Sequence, residues 1–141
     1  MASNAIFFGW NRSIPGREQV TLEHFQQYVG WLNDLKSKGT ITDYQISFLR
    51  PHGGDLGGFV MIHGETQKLH ALAESPEWLE HLTRGMHHLE GSGAVFADTG
   101  AEVFKRMETW TKTIPTMLAA APSSAMVDMP SMTTIARALS G

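Results

Sequence analysis

Gly58-Phe59-Val60-Met61-Ile62-His63 is six residues long, carries no Asp, Glu, Lys or Arg, and follows the glycine-rich stretch Pro51-His52-Gly53-Gly54-Asp55. Such a run reads as a β-strand. Successive side chains of a strand point to opposite faces, so Phe59 and Met61 point one way and Val60 and Ile62 the other. Both faces of the strand are therefore apolar. A sheet built around it needs a layer on each side, because a solvated second face would expose a contiguous apolar patch.

Working outward, Ile41 to Arg50 places Tyr44, Ile46 and Phe48 at alternate positions, so it pairs with Gly58–His63 as a hairpin. Ala5-Ile6-Phe7-Phe8-Gly9-Trp10 is a first strand, stopped by the turn formers Asn11, Ser13, Pro15 and Gly16. From Arg17 to Lys38 the residues Leu22, Phe25, Val29, Leu32 and Leu35 recur at three- and four-residue steps, which predicts an amphipathic helix ending at Gly39. Thr66 to Glu74 is helical by Leu69, Leu72 and Ala73, and Ser75-Pro76-Glu77 restarts a helix with a capping serine and a first-turn proline. Ala94-Val95-Phe96-Ala97 is a brief fourth strand, followed from about Ala101 by a helix with Val103, Met107, Trp110 and Ile114 on one stripe and Pro115 at its end.

Strand, helix, strand, strand, helix, strand is the split β-α-β pattern. The expected fold is α+β: a ferredoxin-like β-α-β-β-α-β sandwich with a four-stranded antiparallel sheet, an extra C-terminal helix and a tail. The domain spans 1–115. The segment 116–141, rich in Ala, Ser, Met and Pro, is an appendage, flexible or docked.

Composition excludes several function classes. At 141 residues and 42% hydrophobic, the chain can bury an ordinary core. It has no cysteine, which removes disulfides, thiolate metal sites, cysteine nucleophiles and iron–sulfur clusters. The net charge is -3 and the 11 Lys and Arg are scattered, so nucleic acid is not an expected partner. No stretch reaches membrane-spanning length, and Ala5–Trp10 is too short for a signal core, so no membrane association is expected and a cytoplasmic location is.

The run Phe8-Gly9-Trp10-Asn11 through Pro15-Gly16-Arg17-Glu18, with Pro51-His52-Gly53-Gly54-Asp55-Leu56 and Gly58-Phe59, resembles small uncharacterised bacterial members of the dimeric α/β-barrel superfamily. The resemblance covers roughly residues 5 to 114. It implies a homodimer in which two sheets pack face to face with the helices outside. The superfamily includes cofactor-independent monooxygenases, haem-degrading enzymes and muconolactone isomerases, so it implies a fold more than a reaction. In such monooxygenases an asparagine, a tryptophan and a histidine assist oxygen chemistry on a bound aromatic, and Asn11 is comparable in its strand position. The expected function is a small-molecule-binding protein or a cofactor-independent enzyme, monooxygenase- or isomerase-like. The alternative is a non-catalytic binding or oligomerisation module.

His63 ends the face shared by Phe59 and Met61, and Arg50 ends the one shared by Tyr44, Ile46 and Phe48. If those two sets lie on one face, His63, Arg50 and Tyr44 rim an apolar pocket, with Trp10 and Asn11 at the end of the first strand nearby. His63 is then the candidate acid or base and Arg50 the holder of an anionic group. The plainer roles are a hydrogen-bonded His63, a solvated Arg50, a packing Trp10 and a turn-capping Asn11. His81, His87, His88 and His52 raise metal and haem ligation. Six residues separate His81 from His87, and the neighbours His87 and His88 diverge on a helix, so the spacing argues against a metal, and no cofactor is expected.

Overall fold

A computed structural model of the protein describes residues 2–115. The chain divides into two compact units, 1–103 and 104–141, and the first holds the whole sheet. The expected appendage, 116–141, lies outside the described residues.

Ten elements follow in order: β1 Ala5–Trp10, β2 Arg12–Ser13, α1 Glu18–Ser37, β3 Asp43–Phe48, β4 Gly58–His63, α2 Thr66–Ala73, α3 Pro76–Met86, β5 Leu89–Glu90, β6 Gly93–Ala97 and α4 Ala101–Lys112. Four strands make one antiparallel sheet in the order β3-β4-β1-β6. The fold is α+β and ferredoxin-like: β4 lies between β1 and β3, and the α2–α3 connection carries the chain across β1 to the far edge. The short pair β2–β5 forms a second, two-stranded ribbon. Its backbone hydrogen bonds tie Asn11 to Glu90 and Ile14 to His88.

Ser75 caps α3 as its sequence predicts, its hydroxyl accepting from the Trp78 amide at 3.2 Å, with Pro76 in the first turn. The break between α2 and α3 turns a second long helix into two short ones. On α1 the buried residues are His24, Tyr28, Leu32 and Leu35. The stripe is rotated from the expected one, since Leu22 is 49% exposed and two polar rings take the inward positions. With Ile6, Val60, Ile62, Leu69, Leu72 and Trp78 these helix residues make the core between the sheet and its helices.

The register corrects the face assignment within the hairpin. Tyr44 pairs with Ile62, Ile46 with Val60 and Phe48 with Gly58, while Asp43, Gln45 and Ser47 pair with His63, Met61 and Phe59. Residues paired across an antiparallel ladder share a face. The set Tyr44, Ile46 and Phe48 therefore faces the helices, and Phe59, Met61 and His63 face the opposite side with Phe7. That opposite face also carries Val95, 62% exposed, and Phe7 and Phe59 stack there with ring centroids 5.3 Å apart.

Gly57 fixes how the β3–β4 loop meets β1. Its amide donates to the Trp10 carbonyl at 2.8 Å, and a Cβ placed there would lie 1.9 Å from the Asn11 carbonyl oxygen. The obstacle is backbone, which cannot swing aside as a flexible side chain can. Gly57→Ala is expected to cost about 1–3 kcal/mol, the range for forced backbone displacement. Gly16→Ala, at a positive φ but with open space around it, should cost less. Urea unfolding of the two variants measures the difference, and equal midpoints would contradict the contact.

Candidate functional site

Between the helix-facing side of the sheet and helices α1 and α3 lies a cavity of about 430 Å³. The sheet supplies Phe8, Trp10, Phe48 and Val60 to its wall, and α3 supplies Trp78, His81 and Leu82. Helix α1 contributes Thr21, Leu22, His24, Phe25 and Tyr28, and the β2–β5 ribbon brings Ser13, His88 and Leu89. The volume falls within the range of small-molecule sites, and the wall is apolar with a few convergent polar groups. Aromatic rings crowd one side: Trp10 meets Phe48 edge-on at 6.2 Å, and Phe25 meets Phe48 at 5.7 Å.

The polar groups are three histidines in series. Thr21 Oγ1 lies 2.9 Å from His88 Nδ1, His88 Nε2 lies 2.7 Å from His24 Nδ1, and His24 Nε2 lies 3.0 Å from His81 Nδ1. Ser13 Oγ extends the chain, 2.7 Å from Thr21 Oγ1. His24 and His81 stack almost parallel, 5.3 Å between ring centres, and His88 stands edge-on to His24 at 5.0 Å. Three elements are needed to assemble this: α1 points His24 inward four residues before Tyr28, α3 presents His81, and His88 sits beyond the end of α3, just ahead of β5.

Burial and like charge hold these rings neutral. His24 is pushed down to about 4, first by desolvation, then by the Arg84 guanidinium and by His88 and His81. Desolvation followed by Arg84 also lowers His81, with Glu80 opposing, and His88, with His87 assisting. Arg84 is itself held by Gln27, its Nη2 donating to Oε1 at 2.6 Å. The Tyr28 hydroxyl is buried without a hydrogen-bond partner among the described residues, and desolvation pushes its ionisation well above the ordinary phenol range. Its ring lies 5.3 Å from that of His81. A buried, unpaired hydroxyl costs about 1–3 kcal/mol, so Tyr28 carries a cost within the core that a phenylalanine would not.

Of the residues that the sequence suggests for a ligand pocket, Trp10 lines the cavity, as do His81 and His88 from the set considered for metal or haem. The other pocket candidates lie elsewhere. Tyr44 faces the helices, but its hydroxyl donates to Asn33 Oδ1 at 2.6 Å on the surface. Arg50 is exposed in the loop after β3, and Asn11 sits in the bend between β1 and β2, its amide bonded to the Glu90 carbonyl. Phe59, Met61 and His63 are on the opposite face of the sheet, so His63 and Arg50 do not rim one pocket. His24 and Tyr28 were missed, although their four-residue spacing, continued by Leu32, is a helical stripe. For His81 and His88 the sequence raises metal and haem ligation, and the helical spacing it assumes does not bring the two together with His24. The three rings offer no group with metal-holding geometry among the described residues, because their facing nitrogens are spent on one another.

No family model matches the chain, and no curated protein does. Among solved structures, it is similar to a dimeric protein of unknown function and ferredoxin-like fold from Bacteroides fragilis, with 11% identity over 69% of this chain and 97% of that one, TM-score 0.48. It is also similar to SnoaB, a cofactor-independent oxygenase from Streptomyces nogalater, with 13% identity over 71% of this chain and 98% of that one, TM-score 0.39. The ferredoxin-like fold rests on the strand order given above, and likenesses of this size carry no reaction with them. No helix among the described residues is long and apolar enough to cross a membrane.

The lowered histidines make stability depend on acidity. Unfolded, His24 takes a proton near pH 6.5; folded, near 4. Between those values the unfolded chain binds more protons, so stability falls as pH falls. Discounted for solvent screening of the ring, the shift corresponds to a loss on the order of 1–2 kcal/mol from pH 7 to pH 4. Urea midpoints measured across that window should drop accordingly, and the pH slope should flatten in His24→Asn.

Proposed function

We propose that the protein is a cofactor-independent enzyme that binds a flat, neutral aromatic ketone in this cavity and moves a proton on the carbon next to the carbonyl. The observation that carries the reading is the Tyr28 hydroxyl, buried and without a hydrogen-bond partner among the described residues, on a residue that lines the apolar cavity beside the neutral His81 ring. A neutral imidazole is competent to take a proton, and a buried O–H is a donor waiting for an oxygen that becomes negative. In the reaction the C–H bond breaks, its electron pair forms the enolate, the proton goes to imidazole nitrogen, and Tyr28 donates to the enolate oxygen. Return of the proton to another carbon completes an isomerisation without any co-reactant. An oxygenase of the same site would need dioxygen to take the enolate's electrons.

Among the described residues the lining has no Lys or Arg, and Glu18 is its one charged residue, so a carboxylate ligand would be poorly received. α-Tetralone is a suitable probe. It should raise the melting temperature saturably and exchange its α-hydrogens for deuterium in D2O faster with protein than without. Tyr28→Phe, which keeps the ring, should weaken binding roughly tenfold, the worth of one buried hydrogen bond. His81→Gln should slow exchange while binding persists. Binding without exchange would favour a non-catalytic binding module, and neither binding nor exchange would reject the site.

The opposite face of the sheet supports a homodimer. Phe7, Phe59, Met61 and Val95 form its apolar centre, and β3 borders it with the polar Asp43, Gln45 and Ser47. An apolar centre with a polar border has the anatomy of a protein interface, and a second copy presents the same surface. Light scattering of the full chain should give a dimer mass, and Val95→Glu should give a monomer. A monomeric wild type would overturn the dimer.

A further inference from the structure

We infer that Ser13, Thr21, His88, His24 and His81 form a proton relay between the cavity and solvent, in which every hydrogen bond of the chain can reverse its direction together. The relay serves the site proposed above and rests on that reading for the identity of its cavity end. The chain itself stands on geometry alone: four consecutive contacts of 2.7 to 3.0 Å join five groups that can each both donate and accept.

A neutral imidazole donates from one nitrogen and accepts at the other, so a chain of three has two senses. In one sense His81 Nδ1 donates to His24 Nε2, His24 Nδ1 to His88 Nε2, and His88 Nδ1 to Thr21 Oγ1. His81 Nε2 then carries a lone pair and is a base. When it accepts a proton, each ring passes one on. His81 gives up its Nδ1 proton to His24 Nε2, His24 its Nδ1 proton to His88 Nε2, and His88 its Nδ1 proton to Thr21. Thr21 in turn releases its own hydroxyl proton through Ser13 to water. Each ring ends neutral with its proton on Nε2, one proton has entered and one has left, and no electrons change hands.

All five groups line the cavity; the Ser13–Thr21 end is the outlet because its chain neighbours Arg12, Pro15, Gly16 and Arg17 are exposed. The other end is His81, whose ring meets that of Tyr28. Charge around the chain opposes a resting imidazolium. Arg84 and Glu80 come from α3, His87 from the turn after it, and Glu18 from the first turn of α1, and after desolvation Arg84 is the largest influence on all three rings. A concerted shift avoids that charged state at His24, the most perturbed of the three. Histidines kept only for packing need a single fixed sense, whereas a relay needs both.

Nitrogen NMR of the ligand-free protein, labelled at its histidine rings, tests this at neutral pH. The expected result is ring-nitrogen shifts of His24, His81 and His88 averaged between the protonated and bare values, with nitrogen–nitrogen couplings from His24 to both neighbours. Thr21→Val removes the outlet and should lock all three rings into one tautomer while the backbone spectrum stays native. Fixed tautomers in the wild type, or averaging that survives Thr21→Val, would overturn the relay. Averaged nitrogens in a protein that ignores α-tetralone would leave the relay standing and reject the ligand reading. Fixed nitrogens in a protein that exchanges α-tetralone would do the reverse.

Discussion

The register of β4 between β1 and β3 is the constraint on which the rest depends. Because side chains alternate with a period of two, a slip of one residue would send Val60 and Ile62 away from the helices and bring Phe59, Met61 and His63 beneath them. The observed register gives the helices the branched aliphatic residues, which pack into a dense core with Leu32, Leu69 and Ile41. It also leaves Gly58 opposite both Trp10 and Phe48, where a side chain would strike the Trp10 ring at 2.6 Å. The absence of a side chain there is what lets Trp10 lie along the sheet and wall the cavity.

A cavity between sheet and helices would be a liability if polar groups entered it unpaired. Here the histidines satisfy one another, and the hydroxyls of Thr21 and Ser13 finish the chain. Both ring nitrogens of His88 and of His24 have a partner, so these two imidazoles enter an apolar site without the penalty of an unmade bond. Tyr28 is the exception: its ring belongs to the core, but its hydroxyl has no partner. Retaining an O–H where Phe would pack equally well costs stability, and that asymmetry within one side chain is what the proposed ligand contact would account for.

Most of the fold was legible. The alternation in β4, the capped restart at Ser75-Pro76 and the terminators Gly39 and Pro115 each carry a local physical signal, and the elements begin or end within a few residues of where those signals fall. The ribbon β2–β5 was not, because two-residue strands hold no periodicity, and Asn11 to Gly16 reads as turn chemistry alone. The site was largely hidden. Face assignment within a hairpin depends on register, which the loop Leu49–Gly57 sets through the hydrogen bond between Leu49 and Gly57, not through any residue pattern visible in β3 or β4. His24 was passed over because a polar residue on a helix reads as exposed, and His88 because it was placed on a helix that in fact ends at Met86.

That last displacement has a physical origin. The backbone turns through His87 and His88, whose amides bond the carbonyls of Arg84 and Gly85, and Gly91 adopts a positive φ just beyond β5. These turns aim two neighbouring histidines apart, His87 toward solvent and His88 into the cavity, a divergence that the adjacency of the two residues predicts but the assumed helix misdirects. The ribbon then clamps His88 at the backbone, its carbonyl accepting from Ile14, while its ring bridges Thr21 and His24. Backbone and ring of one residue thus join the β2 segment to α1. The sharp turn after α3 therefore places the histidine chain, and any acid–base chemistry the cavity performs depends on it.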